Sequence, residues 1–202
     1  KGKSDDFFNC ARISKLNDGS LAIICDRIIG NENGKAEIYV WYGDCEGNNW
    51  SEPVVFPFCG IVPDKLLQLK NGRMIISAHF INKAAEKLEQ YLWYSDDNGK
   101  TWSDRVIVAA SPEYNLCEVS ILLCENNMLV AFLRENSRKG YDVLKVISYD
   151  NGETWSEIYT TPMDCGHRPV AGFLNDGTVM LTYRYIPCST QNLFTEKNKK
   201  DD

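Results

Sequence analysis

The octets SDDNGKTW at 95–102 and SYDNGETW at 148–155 decide the fold, because they repeat one turn chemistry at a long interval. Their shared Asp residues, Asp97 and Asp150, can accept backbone N–H bonds inside a turn. The shared Gly permits a positive φ, and the Thr-Trp pair suits the start of a strand. Each octet therefore predicts a hairpin turn that leads into a β-strand.

A degraded third copy, GDCEGNNW at 43–50, precedes the other two. In it Gly43 stands for Ser, Cys45 for Asp and Asn49 for Thr. The three tryptophans lie 52 and 53 residues apart, and each is followed by Ser: Trp50, Trp102 and Trp155. A fixed period of this length is typical of a repeat architecture and is a poor fit to chance turns.

Four further segments share a strand, an Asn/Asp/Gly turn and a second strand. They are 12–26, 64–79, 118–134 and 168–184. Because they alternate with the octets, one unit contains a hairpin, a third strand, an octet turn and a fourth strand. Such a unit is a propeller blade. The sequence predicts an all-β chain with about three and a half four-stranded blades of a β-propeller in 7–188. A polar tail at 189–202 is expected to be disordered.

The composition excludes several classes of protein. The net charge of −6 argues against a nucleic-acid partner, and no apolar run is long enough for a membrane helix. The eight cysteines form no C-x-x-C pair, so a zinc site of the usual spacing is not expected. Several cysteines stand inside apolar runs and are interpreted as buried, reduced thiols. That interpretation favours a cytoplasmic location, which the sequence otherwise leaves open.

Charged and polar side chains recur at both ends of the four hairpins. Seven residues after the turn stand Asp26, His79, Arg134 and Arg184. Near the start of the first strand stand Arg12, Asp64, Glu118 and Arg168. Antiparallel neighbours start and finish at the same end, so all eight are expected at one rim, at the mouth of the central channel. The alternative is that charges merely end strands where solvent begins, but their recurrence in all four repeats favours a site.

One group of residues near this rim raises the question of a metal. Its members are Cys10, Cys117, Cys165 and His167. Soft metals prefer such ligands. Small buried side chains that pack beneath a rim explain the group more simply, and we predict neither a metal nor a cofactor.

The octets resemble the S-x-D-x-G-x-T-W Asp box of the sialidase (neuraminidase) superfamily of BNR-repeat proteins. The resemblance covers roughly residues 9 to 186. It implies a six-bladed propeller that acts on an anionic glycan. Asp boxes mark the fold and are shared with non-enzymatic propellers, so they say little about activity.

The resemblance also implies roles for individual residues. Arg12 in ARIS resembles the Arg of the superfamily's Arg-Ile-Pro motif, without its Pro. Glu118 and Arg134, 16 residues apart, resemble the catalytic Glu and a substrate-binding Arg on the paired strand. Arg168 is a candidate third member of the arginine cluster. Arg grips a carboxylate with a permanent charge and a bidentate fork.

The acid/base carboxylate is assigned to Asp26 or Asp64. In the superfamily this Asp lies in a loop after the first hairpin, where the present chain offers only Glu32. The superfamily uses Tyr as nucleophile. That Tyr belongs to a later blade, and Tyr183 and Tyr185 are interpreted as ordinary strand residues.

The chain is too short for a closed six-bladed ring, which needs roughly 300 residues at this blade length. It is therefore expected to need further blades or a second chain, and to be inactive alone. Three functions stay open. The first is a sialidase-like glycoside hydrolase acting on terminal sialic acid or a related anionic sugar. The second is an enzyme acting on a different anionic sugar, suggested by His79 and His167 as substrate-binding residues. The third is a non-catalytic carbohydrate- or protein-binding propeller.

Overall fold

The computed structural model describes residues 7–28 and 36–187, which fold into β-strands and one short 3-10 turn at Glu125–Asn127. Blade 1 contains β1 Phe7–Lys15, β2 Leu21–Ile28, β3 Ala36–Gly43 and β4 Val54–Cys59. Blade 2 contains β5 Leu67–Gln68, β6 Met74–Asn82, β7 Lys87–Ser95 and β8 Val106–Ala109. Blade 3 contains β9 Leu116–Leu123, β10 Leu129–Glu135, β11 Leu144–Ser148 and β12 Tyr159–Thr160. Blade 4 contains β13 Gly166–Phe173 and β14 Val179–Tyr185.

Every blade is an antiparallel meander in chain order. Blades 1 to 3 are four-stranded sheets, and blade 4 is a two-stranded sheet within the described residues. This confirms the predicted all-β fold, a partial propeller of three full blades and half of a fourth. The proposed tail at 189–202, like Glu32, lies outside the described residues. No helix in the described part of the chain has the length and hydrophobicity needed to cross a membrane.

The hairpin turns owe their shape to one residue at positive φ. Gly19, Gly72 and Gly177 have φ values of 89°, 93° and 82°. Asn127 takes this position in blade 3 with φ 60°. Asn tolerates the left-handed region better than other non-glycine residues. The segment ENN therefore forms the same turn as its glycine-containing relatives.

The octets fold as a hydrogen-bonded turn. The Asp97 carboxylate accepts bonds from the Thr101 N–H at 2.9 Å and the Thr101 hydroxyl at 2.7 Å. Ser95 donates to Asp97 at 2.8 Å and accepts from the Gly99 N–H at 2.8 Å. The Trp102 indole donates to the Gly99 carbonyl at 3.2 Å. The shared Ser, Asp, Gly, Thr and Trp therefore each have a partner inside the turn.

The Ser after each Trp ties the octet back to its own third strand. In blade 2, the Tyr94 N–H donates to the Ser103 hydroxyl at 3.0 Å, and the Ser103 N–H donates to the Tyr94 carbonyl at 2.8 Å. Ser51 and Ser156 make the same bonds in blades 1 and 3. The recurring Ser therefore locks the fourth strand in register.

The first octet folds differently from its sequence alignment. Asp44, rather than the residue at the aligned position Cys45, accepts bonds from the Asn48 and Asn49 N–H groups at 2.9 and 3.0 Å. A Cβ on Gly43 would lie 2.9 Å from the Trp50 ring, so the indole occupies the space of the missing Ser. The alignment of Cys45 with Asp is therefore corrected by one position.

Two hydrophobic cores lie between successive blades. Between blades 1 and 2, the Phe58 ring stacks on Trp93 with centroids 4.3 Å apart. Between blades 2 and 3, Ile75 and Leu92 pack with Ile121 and Leu129. Each blade presents one face to each neighbour, which holds the rim residues of different blades at fixed separations.

Arg73 joins two octets on the surface. Its guanidinium binds Asp96 at 2.7 and 2.9 Å and Glu153 at 2.8 Å, and it lies 4.0 Å from the Tyr94 ring centroid. Both carboxylates are more than half exposed. Exposed ion pairs contribute little each, so we expect Arg73→Met to lower the free energy of unfolding by only about 1 kcal/mol.

Urea unfolding of this variant gives the measurement. Met128 occupies the equivalent turn position of blade 3, so Met is compatible with this site. Lys70→Met, an exposed change in the same hairpin, is the control. A loss above about 3 kcal/mol would show that the pairs act as a cooperative network.

Candidate functional site

The strand register places four predicted residues in one row at the end of their hairpins. Asp26 pairs with Asn9, His79 with Ile61, Arg134 with Cys117, and Arg184 with His167. The row is therefore built from the second strand of every blade. It lies at the end opposite the hairpin turns.

The first strands of blades 1, 3 and 4 each contain a β-bulge close to this row. The register shifts between Asn9 and Arg12 in β1, at Glu118 in β9, and between His167 and Val170 in β13. Bulges re-aim side chains and occur frequently beside active sites. Arg168 lies within its bulge at φ 52°, a left-handed conformation that costs about 1–3 kcal/mol for a non-glycine residue.

Not all first-strand residues stand at the depth predicted for them. Arg12 pairs with Ile24 and so lies two positions deeper than Asp26. Asp64 falls between the Ile61–His79 and Leu67–Ile75 pairs. The counting rule that placed all eight residues at one level is therefore corrected for these two, because they stand only seven and eight residues before the turn glycine, whereas Glu118 and Arg168 stand nine residues before the turn residue.

Glu118 and Arg134 form a direct ion pair. The Arg134 Nη1 lies 2.9 Å from the Glu118 Oε2, and both side chains are largely buried. Arg134 Nη2 donates to the Asn136 Oδ1 at 2.7 Å. A buried pair of this kind is held by its partners in a single orientation. Asn136 was not predicted, because only the register reveals that it touches Arg134.

Asp26 is fully buried in blade 1. Burial raises the pKa of its carboxyl, and the Val62 backbone N–H, the Asn9 amide and the Arg168 charge only partly oppose this. Val62 is itself at φ 49°, which is strained for a β-branched residue. A carboxyl with a raised pKa keeps its proton to a higher pH than an exposed carboxyl does, which suits a general acid.

The two arginines from the outer blades lie near the same thiol. Burial raises the pKa of Cys10, while Arg168 and Arg12 both act against it. The charges of blades 1 and 4 therefore converge. Arg12 Nε and Nη2 are buried without a hydrogen-bond partner among the described residues.

Both predicted histidines lie beside the Glu118–Arg134 pair and are uncharged at neutral pH. Burial lowers the pKa of His79 to about 4, with Glu118 opposing and Arg134 assisting. Burial, followed by Arg134 and Arg184, lowers the pKa of His167 to about 4. The exposed Arg184 is therefore close to His167 but belongs to the edge of the site.

Asp64 bridges two blades. Its Oδ2 accepts the Ile121 N–H of blade 3 at 2.7 Å, and Lys65 donates to the Ile121 carbonyl at 2.8 Å. Ser120 makes a comparable link to blade 4, accepting the Ala171 N–H at 3.0 Å. The bond of Asp64 to Ile121 gives Asp64 a structural role, whereas the raised pKa of Asp26 is the property expected of a proton donor.

Substitution of Asp64 separates these roles. Asp64→Ala leaves the buried Ile121 N–H unpaired, and we expect it to lower the free energy of unfolding by about 1–3 kcal/mol. Asp64→Asn keeps an acceptor and is expected to retain most of the stability. Thermal unfolding of both variants gives the comparison. Equal losses in the two would show that the charge, and not the acceptor, is what matters.

The buried polar atoms without a protein partner are concentrated here. In the described residues they include atoms of Arg12, Asp26, Asp64, His79, Arg134 and Gln90. Buried polar groups are normally hydrogen-bonded, so such a concentration is typical of a functional site. Within residues 7–28 and 36–187, no three His, Cys, Asp or Glu side chains are grouped to hold a metal ion.

The fold and this rim define the class of protein: a partial β-propeller whose blades direct buried charged residues to one end. The chain belongs to the BNR repeat-like domain family, whose profile matches residues 46–192. No curated protein matches the chain.

Solved structures share the fold at low identity. An α-L-arabinanase of Penicillium chrysogenum, complexed with arabinobiose, has a TM-score of 0.68 and 18% identity over 88% of this chain and 57% of that one. A Hadza microbial sialidase has a TM-score of 0.66 and 16% identity over 87% and 39%. The intramolecular trans-sialidase of Ruminococcus gnavus, in complex with oseltamivir carboxylate, has a TM-score of 0.63 and 15% identity over 88% and 60%. The chain thus spans less than two thirds of the length of each.

Proposed function

We propose that this chain forms part of the propeller of a glycoside hydrolase that cleaves terminal sialic acid or a related anionic sugar from glycans. The observation that carries the proposal is the buried Glu118–Arg134 pair, with Arg12 and Arg168 converging beside it. Similar folds include sialidases and an arabinanase, so the fold favours sugar chemistry without choosing the sugar.

The charges of the rim favour an anionic substrate. Arg12 and Arg168 form no ion pair with the described residues, whereas Arg134 is already neutralised by Glu118. Free guanidinium groups in a partly buried site are well suited to a carboxylate. We therefore assign Arg12 and Arg168 to the substrate carboxylate.

The carboxyl groups supply the proton transfers. Asp26, whose pKa burial raises, is assigned to protonate the leaving oxygen and then to act as base. Glu118 is assigned to take the proton of a nucleophilic Tyr expected in a later blade. A neutral Tyr is repelled less than a carboxylate by the charge of the substrate.

The test is turnover by the full-length protein. Fluorogenic sialosides, uronides and arabinosides are compared, and the anionic sugars are expected to be cleaved. Glu118→Gln is expected to lower the rate by about 10²–10⁴-fold, since it removes the proposed base. Glu125→Gln, an exposed change at the opposite end of β9, is the control.

The other outcomes identify the competing functions. Turnover of the arabinoside alone would show a neutral-sugar hydrolase. Glycan binding without turnover, unchanged by Glu118→Gln, would show a non-catalytic binding propeller. Either result would refute the proposal.

A further inference from the structure

A buried polar pair lies in blade 2, and one of its members, His79, is close to the Glu118–Arg134 pair. His79 on β6 and Gln90 on β7 are directly opposite each other. Opposite residues of an antiparallel pair share a face, with Cβ atoms about 4.5–5.5 Å apart. Ile75 and Leu92, at alternate positions on the same strands, pack in the core towards blade 3. His79 and Gln90 therefore face blade 3 as well.

Both side chains are nearly inaccessible yet incompletely bonded. Gln90 is 0% exposed and His79 is 6% exposed. The Gln90 Oε1 and the His79 Nδ1 have no hydrogen-bond partner among the described residues. The Gln90 Nε2 reaches only the Tyr91 carbonyl, at 3.3 Å. An unsatisfied buried polar atom is unfavourable for stability, so apolar residues would serve a purely structural role better.

The neighbours of the pair connect it with the candidate site. The charged groups acting on His79 are Glu118 of β9 and Arg134 of β10. Burial keeps the imidazole uncharged at neutral pH, so it can donate from one nitrogen and accept at the other. Together with the Gln90 amide it offers neutral donors and acceptors beside a charged pair.

We propose that His79, with Gln90 opposite it on β7 as a positioning residue, forms a neutral subsite that binds an uncharged hydroxyl or amide group of the sugar held beside Glu118 and Arg134. This inference rests on the proposed function and deepens it. The arginines select the anionic group of the sugar, and the neutral subsite selects a polar substituent on the same ring. A site built to hydrogen-bond such a substituent discriminates strongly against analogues that lack it.

The test combines binding and stability in the full-length protein. N-acetylneuraminic acid is titrated by calorimetry into the wild type, His79→Phe and Gln90→Leu. We expect each variant to bind about 10- to 100-fold more weakly, the effect of one or two lost hydrogen bonds. We also expect the Tm to stay level or rise by about 2–4 °C, because each change removes an unsatisfied buried group.

Gln68→Leu is the matched control, because the Gln68 Oε1 already accepts the Asn17 N–H at 2.9 Å. We expect this change to lower the Tm slightly and to leave binding unchanged. His79→Asn retains a neutral donor and acceptor and is expected to keep part of the affinity.

Each further outcome has a distinct meaning. Wild-type affinity in both variants, with a lowered Tm, would show that the pair is structural and would overturn the inference while the proposed function stood. Absence of binding by the wild type would overturn both. The loss of affinity together with unchanged or increased stability is the result that a structural role does not produce.

Discussion

Replacing Arg134 by Leu is expected to lower the free energy of unfolding by about 3–5 kcal/mol. The change removes the partner of a carboxylate whose side chain is only 12% exposed. Glu118 would then remain charged in a site that water reaches poorly, beside the neutral His79. The Asn136 amide would also lose its bond from Arg134. Urea unfolding of the chain measures the loss.

The double variant Glu118→Gln/Arg134→Leu tests this explanation. If the stranded charge causes the loss, neutralising Glu118 is expected to restore most of the stability. A double-mutant cycle then assigns the difference to the pair. Additive losses in the cycle would contradict a direct coupling between the two residues. Arg105→Leu, which removes a cation lying 4.1 Å from the Tyr91 ring and outside the site, is the control.

The blades could be predicted because their signals are local and repeated. An octet such as 95–102 contains its own hydrogen-bond partners, from Ser95 to the Trp102 indole. The alternation of octets and hairpins then specifies four strands per unit. The contact between Glu118 and Arg134 could also be predicted, because the two residues are 16 apart in a single hairpin whose turn is evident in the sequence.

Contacts between blades could not be predicted in the same way. The bond from Ile121 to Asp64 and the approach of Gln90 to blade 3 depend on which face each strand turns to its neighbour. A bulge shifts the register by a single residue, as it does between Asn9 and Arg12. Sequence counting treated seven and nine residues before the turn as equivalent, so it placed Arg12 too near the rim, and it did not identify Gln90.

Acidification is expected to destabilise the chain between about pH 6.5 and about pH 4. The ordinary pKa of His is about 6.5, and burial lowers the pKa of His79 to about 4. Within this window the unfolded chain binds a proton that the folded chain does not. Stability therefore falls as the pH decreases, by up to about 3 kcal/mol for His79, and is unaffected by this group above pH 6.5. His167, with a pKa lowered to about 4, acts in the same direction.

Two carboxyl groups also contribute to the pH dependence of stability at acidic pH. The Thr101 and Ser95 hydrogen bonds lower the pKa of Asp97 to about 2, so its contribution is lost only at more acidic pH. Burial raises the pKa of Asp26, so protonation of this group favours the folded state as the pH falls and partly offsets the histidines.

Unfolding free energies of the wild type and His79→Phe, measured from pH 4 to 8, separate these effects. The variant is expected to show a flatter curve, and the two curves should differ most at the acidic end. Parallel curves would mean that His79 becomes protonated in the folded state as easily as in the unfolded one, and the neutral subsite would then lose its physical basis.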